Sequence, residues 1–177
     1  MEITSGKAVL AAESHGEGEP AVLLIHAGVT DQRSWRHVVD RLSDHRCLTY
    51  DQRGYGRTTY EPEDGWSGVD DAVAVLDGYD VDSAVVVACS MGGRVALHLA
   101  LTHPDRVRAL ALIAPAIAGG PGHVYEPEVQ VISDASDAAW ERGDLDEVNR
   151  IDATSGSTAR WLRRAGSVER RVSCSWR

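Results

Sequence analysis

Ser90 stands in VVVACSMGGRVAL, between a Val-rich run and a nearly all-apolar stretch, with no residues left over for a loop. A strand that turns directly into a helix forces the residue at the turn toward positive φ. That strained state exposes the side chain and needs small neighbours two places before and two places after. Ala88 and Gly92 fill those places. A serine held this way is a candidate nucleophile for an acyl carbon; the plainer reading is a serine that caps a helix. Cys89 has Val87 and Met91 at the corresponding places, both too large for such a turn, so its thiol is expected in the core.

Attack on a carbonyl requires N–H donors aimed where the oxyanion develops. The amide of Met91 opens the helix after the turn, where N–H groups lack intrahelical partners and the dipole favours negative charge. A second donor is expected from the loop IHAGVT, which offers Gly28, with Val29 as a fallback. Gly28 serving only as a turn residue is the alternative.

The elements around these residues alternate. Residues 7–14 read as a weak strand, AVLLIH (21–26) as a strand covered on both faces, and CLTY (47–50), SAVVVAC (83–89) and RALALI (108–113) as further strands. Between them, residues 32–43 carry Trp35, Val38, Val39 and Leu42 at helical spacing. Val69, Ala72, Val73 and Leu76 mark a second helix ending at Gly78, and Met91 to Leu101 a third, stopped by Pro104. This order predicts an α/β fold, a mostly parallel sheet flanked by helices, with its ligand site beyond the carboxyl ends of the strands. Residues 126–150 read as one or two further helices anchored by Trp140, Leu145 and Val148.

Three motifs, LLIHAGVTDQRSW, DQRGYGRT and ACSMGG, stand in the order and on the elements in which the chain resembles the α/β-hydrolase superfamily, its serine-nucleophile branch with a histidine-glycine type oxyanion loop. The resemblance covers about residues 5–150. It implies a hydrolase acting on an ester or related acyl bond of a small-molecule substrate through Ser90, with Gly28 and Met91 at the oxyanion. It further implies that His26 supports the oxyanion loop and that Asp51, Arg53, Gly54 and Gly56 shape the turn after CLTY. Because the elbow holds a serine, the family's halide-displacing and epoxide-opening branches, which use an acid there, fit less well.

The same resemblance exposes a gap. The chemistry needs a histidine to take the Ser90 proton and an acid to orient it, in the chain order Ser, acid, His. No histidine follows His123. His98 falls on the helix after the elbow, read as buried, and His103 at that helix's far end. His123 is the one internal candidate for a base, and Asp105, the one acid between it and Ser90, precedes its strand at the wrong edge. The expectation is therefore a chain truncated before the catalytic Asp and His, with weak or no turnover; the alternative is a non-catalytic fragment that binds a small molecule or a protein.

Composition sets the remaining bounds. Among 177 residues, 43% are hydrophobic and 25% charged, with a formal net charge of -9, which suits a globular domain and argues against nucleic acid as partner. No apolar run could span a membrane. Three scattered cysteines and no metal-ligand spacing imply neither disulfides, metal nor organic cofactor. The first twenty residues lack the features of a secretory signal, which suggests the cytoplasm. Charge is uneven: residues 1–152 hold 12 Lys+Arg against 26 Asp+Glu, whereas residues 153–177 hold six Arg against Glu169. The division expected is a core over 1–114, holding the first six strands of the family's sheet, the start of a helical cap over 115–152, and a basic, atypical tail over 153–177. The tail reads as frame-shifted or disordered rather than as a basic arm for an acidic partner or a membrane surface. A sheet that stops at RALALI leaves an apolar edge, so self-association is expected.

Overall fold

The computed structural model describes residues 1–117, 126–144, 146–148, 150 and 151. The chain divides into two compact units, Met1–Gly120 and Pro121–Arg177. The first holds seven strands: β1 (Glu2–Ser5), β2 (Ala8–His15), β3 (Val22–Ile25), β4 (Cys47–Tyr50), β5 (Thr59–Tyr60), β6 (Ala84–Cys89) and β7 (Val107–Ile113). They form one sheet in the order β1-β2-β4-β3-β6-β7, with β5 on β2. The strands β4, β3, β6 and β7 are mutually parallel, and β1, β2 and β5 add antiparallel pairings.

The parallel centre follows from composition. Every residue of β3 and β4 is buried, as strands covered on both faces must be. Alternation then sends Leu23, Ile25, Leu48 and Tyr50 into one core cluster and Val22, Leu24 and Cys47 into another. The first cluster is closed by α2 (Gly68–Gly78) through Val69, Ala72, Val75 and Leu76, and by α3 (Met91–Thr102) through Ala96 and Leu99. Ser67 caps α2 by accepting from the Asp70 amide, and Asp70 and Asp71 place negative charge at its positive end. Val75, rather than Val73, completes its buried stripe.

Three readings of the sequence are corrected. The helix expected over residues 32–43 is a 3-10 turn, Gln32–Trp35, leading into the short α1 (Arg36–Val39). Tertiary bonds account for this: the buried Gln32 side chain donates to the Ala11 carbonyl and accepts from Thr49 Oγ1, while its amide donates to Asp51, pinning the first turn to the sheet. His98 is exposed on α3, not buried, because that helix turns only one stripe to the sheet. In the second unit α4 (Pro127–Glu141) forms as expected, but Trp140 is 66% exposed and the buried residue of α4 is Ala139. Val148 is half-buried; Leu145, like the tail from 153, lies outside the described residues.

Among the described residues, no helix is long and apolar enough to cross a membrane.

Candidate active site

The tips of β4, β3 and β6 lie side by side, so the segments that follow them share one edge of the sheet. Ser90 follows β6 with φ 49° and ψ -115°, a backbone state that side-chain-bearing residues rarely adopt. Its side chain is exposed and makes no capping hydrogen bond to α3. Its backbone, in contrast, is fixed: the Ser90 amide donates to the Ile113 carbonyl at 3.0 Å, and its carbonyl accepts from Gly93 and Ala116 at 2.9 and 2.8 Å. The strain is thus held in place by β7 and by the residues just after it, where Ala114 also has positive φ.

Small residues let α3 begin this close to the strands. A Cβ at Gly92 would lie 2.6 Å from the carbonyl oxygens of Ile25 and His26, and one at Gly93 would lie 2.6 Å from Pro115. Ala88 is fully buried under the turn. Met91 is the first residue of α3, where amides point outward without intrahelical acceptors.

The loop after β3 is organised by one carbonyl. Ala27 O accepts from His26 Nδ1 at 2.7 Å and from both the amide and hydroxyl of Thr30 at 3.2 Å. His26 is fully buried, and its Nε2 accepts from the Gln52 amide at 3.0 Å, while the Gln52 side chain donates to the His26 carbonyl at 2.8 Å. An Nδ1 that donates and an Nε2 that accepts define a neutral ring in one tautomer. Burial lowers the His26 pKa from its ordinary value, against the opposing pull of its bond to Ala27 and the nearby Asp51 and Asp31 carboxylates. Across a trans peptide the N–H opposes the C=O, so tying Ala27 O to His26 turns the Gly28 N–H the other way. The ideal Cβ position of Gly28 lies 3.1 Å from Met91 Sδ, which brings the loop against the elbow. Val29, the fallback donor, has a side chain turned to solvent at 92% exposure.

The turn after β4 braces that loop. Asp51 accepts from the amides of Gln32 and Arg57, and its carboxylate occupies the space a Cβ on Gly56 would need. Arg53 reaches the other way: its buried guanidinium forms paired hydrogen bonds with Asp71 on α2, bonds Glu63 and the Ser5 carbonyl, and faces Trp66 at 4.8 Å. Those bonds to Asp71 and Glu63 raise the Arg53 pKa, and Arg53 in turn holds the Glu63 carboxyl below its ordinary value. Both residues therefore sit where a structural role places them, sealed into the base of the turn. Gly54 and Gly56 are exposed, and Tyr55 between them is half-buried with its ring against His26.

The histidines divide plainly. Both nitrogens of His26 are engaged, His98 is on the exposed side of α3, and His103 bonds Thr102 at the C-terminal end of α3. His123 lies outside the described residues. Cys89 is a half-buried free thiol whose side chain joins the second core cluster, opposite to the direction in which Ser90 leaves the sheet. Tyr55 is the site neighbour that the sequence did not single out: an aromatic between two turn glycines reads as ordinary loop composition, and its place depends on the adjacency of β3 and β4.

Comparison with known proteins places the chain among hydrolases. The chain is 35% identical over 134 residues to the 2-hydroxymuconate semialdehyde hydrolase of Pseudomonas sp. (strain CF600), a match covering 71% of this chain and 43% of that protein. It is 37% identical over 106 residues to epoxide hydrolase B of Mycobacterium tuberculosis, covering 56% and 30% respectively. A solved structure of a Vigna radiata epoxide hydrolase mutant superposes with a TM-score of 0.61 at 28% identity, over 73% of this chain and 42% of that one. The chain thus spans less than half the length of each of these relatives. Residues 20–161 match the family described as alpha/beta hydrolase fold, and with the strand order and the turn at Ser90 already in hand, the chain belongs to that family.

Proposed function

We propose that this hydrolase-family chain carries a serine nucleophile, Ser90, directed at the acyl carbon of an ester or related small-molecule substrate. The observation that carries the reading is the Ser90 backbone, held at positive φ with its hydroxyl exposed and free of any capping bond. Such strain persists only where the surroundings enforce it, and here it leaves a serine exposed just past the end of β6, the edge at which sheets of this kind bind ligands. Ser90 Oγ bonds to the acyl carbon as the carbonyl π pair moves onto oxygen. The amides of Gly28 and Met91 donate hydrogen bonds to that oxyanion; its collapse breaks the carbon–oxygen bond to the leaving group, which departs as the alcohol carrying the proton given up by Ser90, and an acyl-serine is left for water to cleave. His26 acts one step removed, by fixing the peptide that orients the Gly28 amide.

Proton removal is the weak step. Both nitrogens of His26 are engaged, and among the described residues after Ser90 the histidines, His98 and His103, lie on the exposed side and at the far end of α3, so we expect slow acylation by this chain. The same observation favours a second reading, in which the chain binds a small molecule or a protein partner without chemistry. A fluorophosphonate probe followed by mass spectrometry separates the two. Stoichiometric modification of Ser90, lost in Ser90→Ala, supports the nucleophile; a folded protein left unmodified supports the binding reading. Should Ser90 react, comparing ester turnover in His123→Ala reports on His123 as base: unchanged turnover removes it from the mechanism.

A further inference from the structure

Tyr55 is half-buried in the turn after β4, its hydroxyl beside the two segments proposed to supply oxyanion donors. Its hydroxyl lies 3.3 Å from the ideal Cβ position of Gly28 and 3.9 Å from Met91 Sδ. Its ring meets His26 edge-on, with centroids 5.2 Å apart and planes at 72°. Among the described residues the thioether is the hydroxyl's hydrogen-bond partner, and sulfur is a weak acceptor. A half-buried phenol with so poor a partner keeps its proton for a stronger acceptor. The place where it waits is bounded by Gly28 on one side and Met91 on the other.

Resting on the reading of Ser90 as nucleophile, we propose that the Tyr55 hydroxyl is a third donor to the substrate's acyl oxygen. The acceptor is weak in the ground state, a neutral carbonyl, and strong once negative charge develops. The hydroxyl therefore exchanges the Met91 sulfur for the oxyanion as the Ser90 Oγ–carbon bond forms. No proton is transferred; the O–H remains on Tyr55. Such a donor acts on the rate of the chemical step more than on binding, because it gains most where charge appears. His26 gives the ring a fixed seat, so the hydroxyl needs no reorientation of the ring to reach the oxygen.

The experiment is the time course of Ser90 phosphonylation by a fluorophosphonate ester in the full chain, comparing the unsubstituted protein with Tyr55→Phe and Tyr60→Phe. In this reaction Ser90 Oγ displaces fluoride from phosphorus while the phosphoryl oxygen takes the oxyanion position. Tyr55→Phe keeps the ring against His26 and removes only the hydroxyl. We expect its limiting first-order constant to fall about tenfold or more with the half-saturating probe concentration changed less than about twofold. Tyr60→Phe, which removes an exposed phenol from β5, is expected to leave both values as they were. Equal rates in Tyr55→Phe and the unsubstituted protein overturn the proposal while leaving the nucleophile intact. A change confined to the half-saturating concentration also overturns it, since it marks Tyr55 as a packing residue. Absence of labelling in the folded, unsubstituted protein overturns the Ser90 reading itself, and this proposal with it. Circular dichroism and thermal melting of each variant show that folded proteins are being compared.

Discussion

His26 and Ser90 each hold an unfavourable state for the sake of geometry. The buried neutral imidazole of His26 accepts from the Gln52 amide only while Nε2 lacks a proton. Its pKa is below the ordinary 6.5, so as pH falls through about 6.5 the unfolded chain takes up a proton that the folded chain refuses. Stability is therefore expected to fall as pH drops below that point, until the lower folded value is reached. Thermal melts from pH 8 to 5 should show this decline, and His26→Gln, which cannot titrate, should show a shallower one over the same range. For Ser90 the strain is conformational. A non-glycine residue in such a state costs about 1–3 kcal/mol, and glycine relieves it at an entropic cost of about 0.5–1 kcal/mol. Ser90→Gly is thus expected to raise the melting midpoint by roughly 2–4 °C while abolishing probe labelling. Ser90→Ala should abolish labelling without that gain. A glycine variant no more stable than the alanine one would mean that the turn is not strained.

At the scale of elements, the site depends on close approach and on a buried brace. Gly92 brings α3 against the backbone of β3, and the atoms a Cβ would strike are carbonyl oxygens that cannot swing aside. Gly92→Ala is expected to destabilise by about 1–3 kcal/mol and to slow Ser90 labelling, because the elbow must move away from the loop after β3. The Arg53–Asp71 pair ties the turn after β4 to α2 with both side chains 2% exposed. Asp71→Asn leaves the buried guanidinium with Glu63 as its carboxylate partner and weakens the paired bonds to α2, so it should cost about 1.5–3 kcal/mol by denaturant unfolding. The loss should be smaller when Arg53→Met is added than the sum of the two single changes. These features differ in how far the sequence displays them. The Val-rich β6, the serine and its small neighbours are contiguous, so local sterics expose the elbow directly. The Arg53–Asp71 contact joins residues 18 apart, and Tyr55 meets Met91 from 36 residues away, so neither carries a local pattern. β1 and β5 are too short for a two-residue period to register; α1 is shortened by hydrogen bonds from Gln32 to strands that no spacing rule connects to it.

At the scale of the whole molecule, the last strand in the order is β7, paired through β6 alone among the described residues. Its faces are unequal. Leu110 and Leu112 pack on the first core cluster, while Ala109, Ala111 and Ile113 on the alternate positions are exposed, Ile113 by 50%. Unpaired N–H and C=O groups beside a run of small and apolar side chains form a template for another strand, and the flanking Arg108 supplies the one charge within the seven residues. Sedimentation velocity across a concentration series is expected to show self-association of this chain. Ala111→Lys places a charge at the middle of the edge, where a second strand would have to bury it, and should shift the population to monomer without lowering the melting midpoint, because position 111 faces solvent. The same edge supports Ser90, since the Ser90 amide bonds the Ile113 carbonyl and Ala116 bonds the Ser90 carbonyl. Association through β7 should therefore leave labelling of Ser90 in place, whereas Ile113→Pro, which bends the strand end that holds the elbow, should reduce both association and labelling. A protein that remains monomeric over the full concentration range, before any lysine is introduced, would show that the β7 edge is already protected.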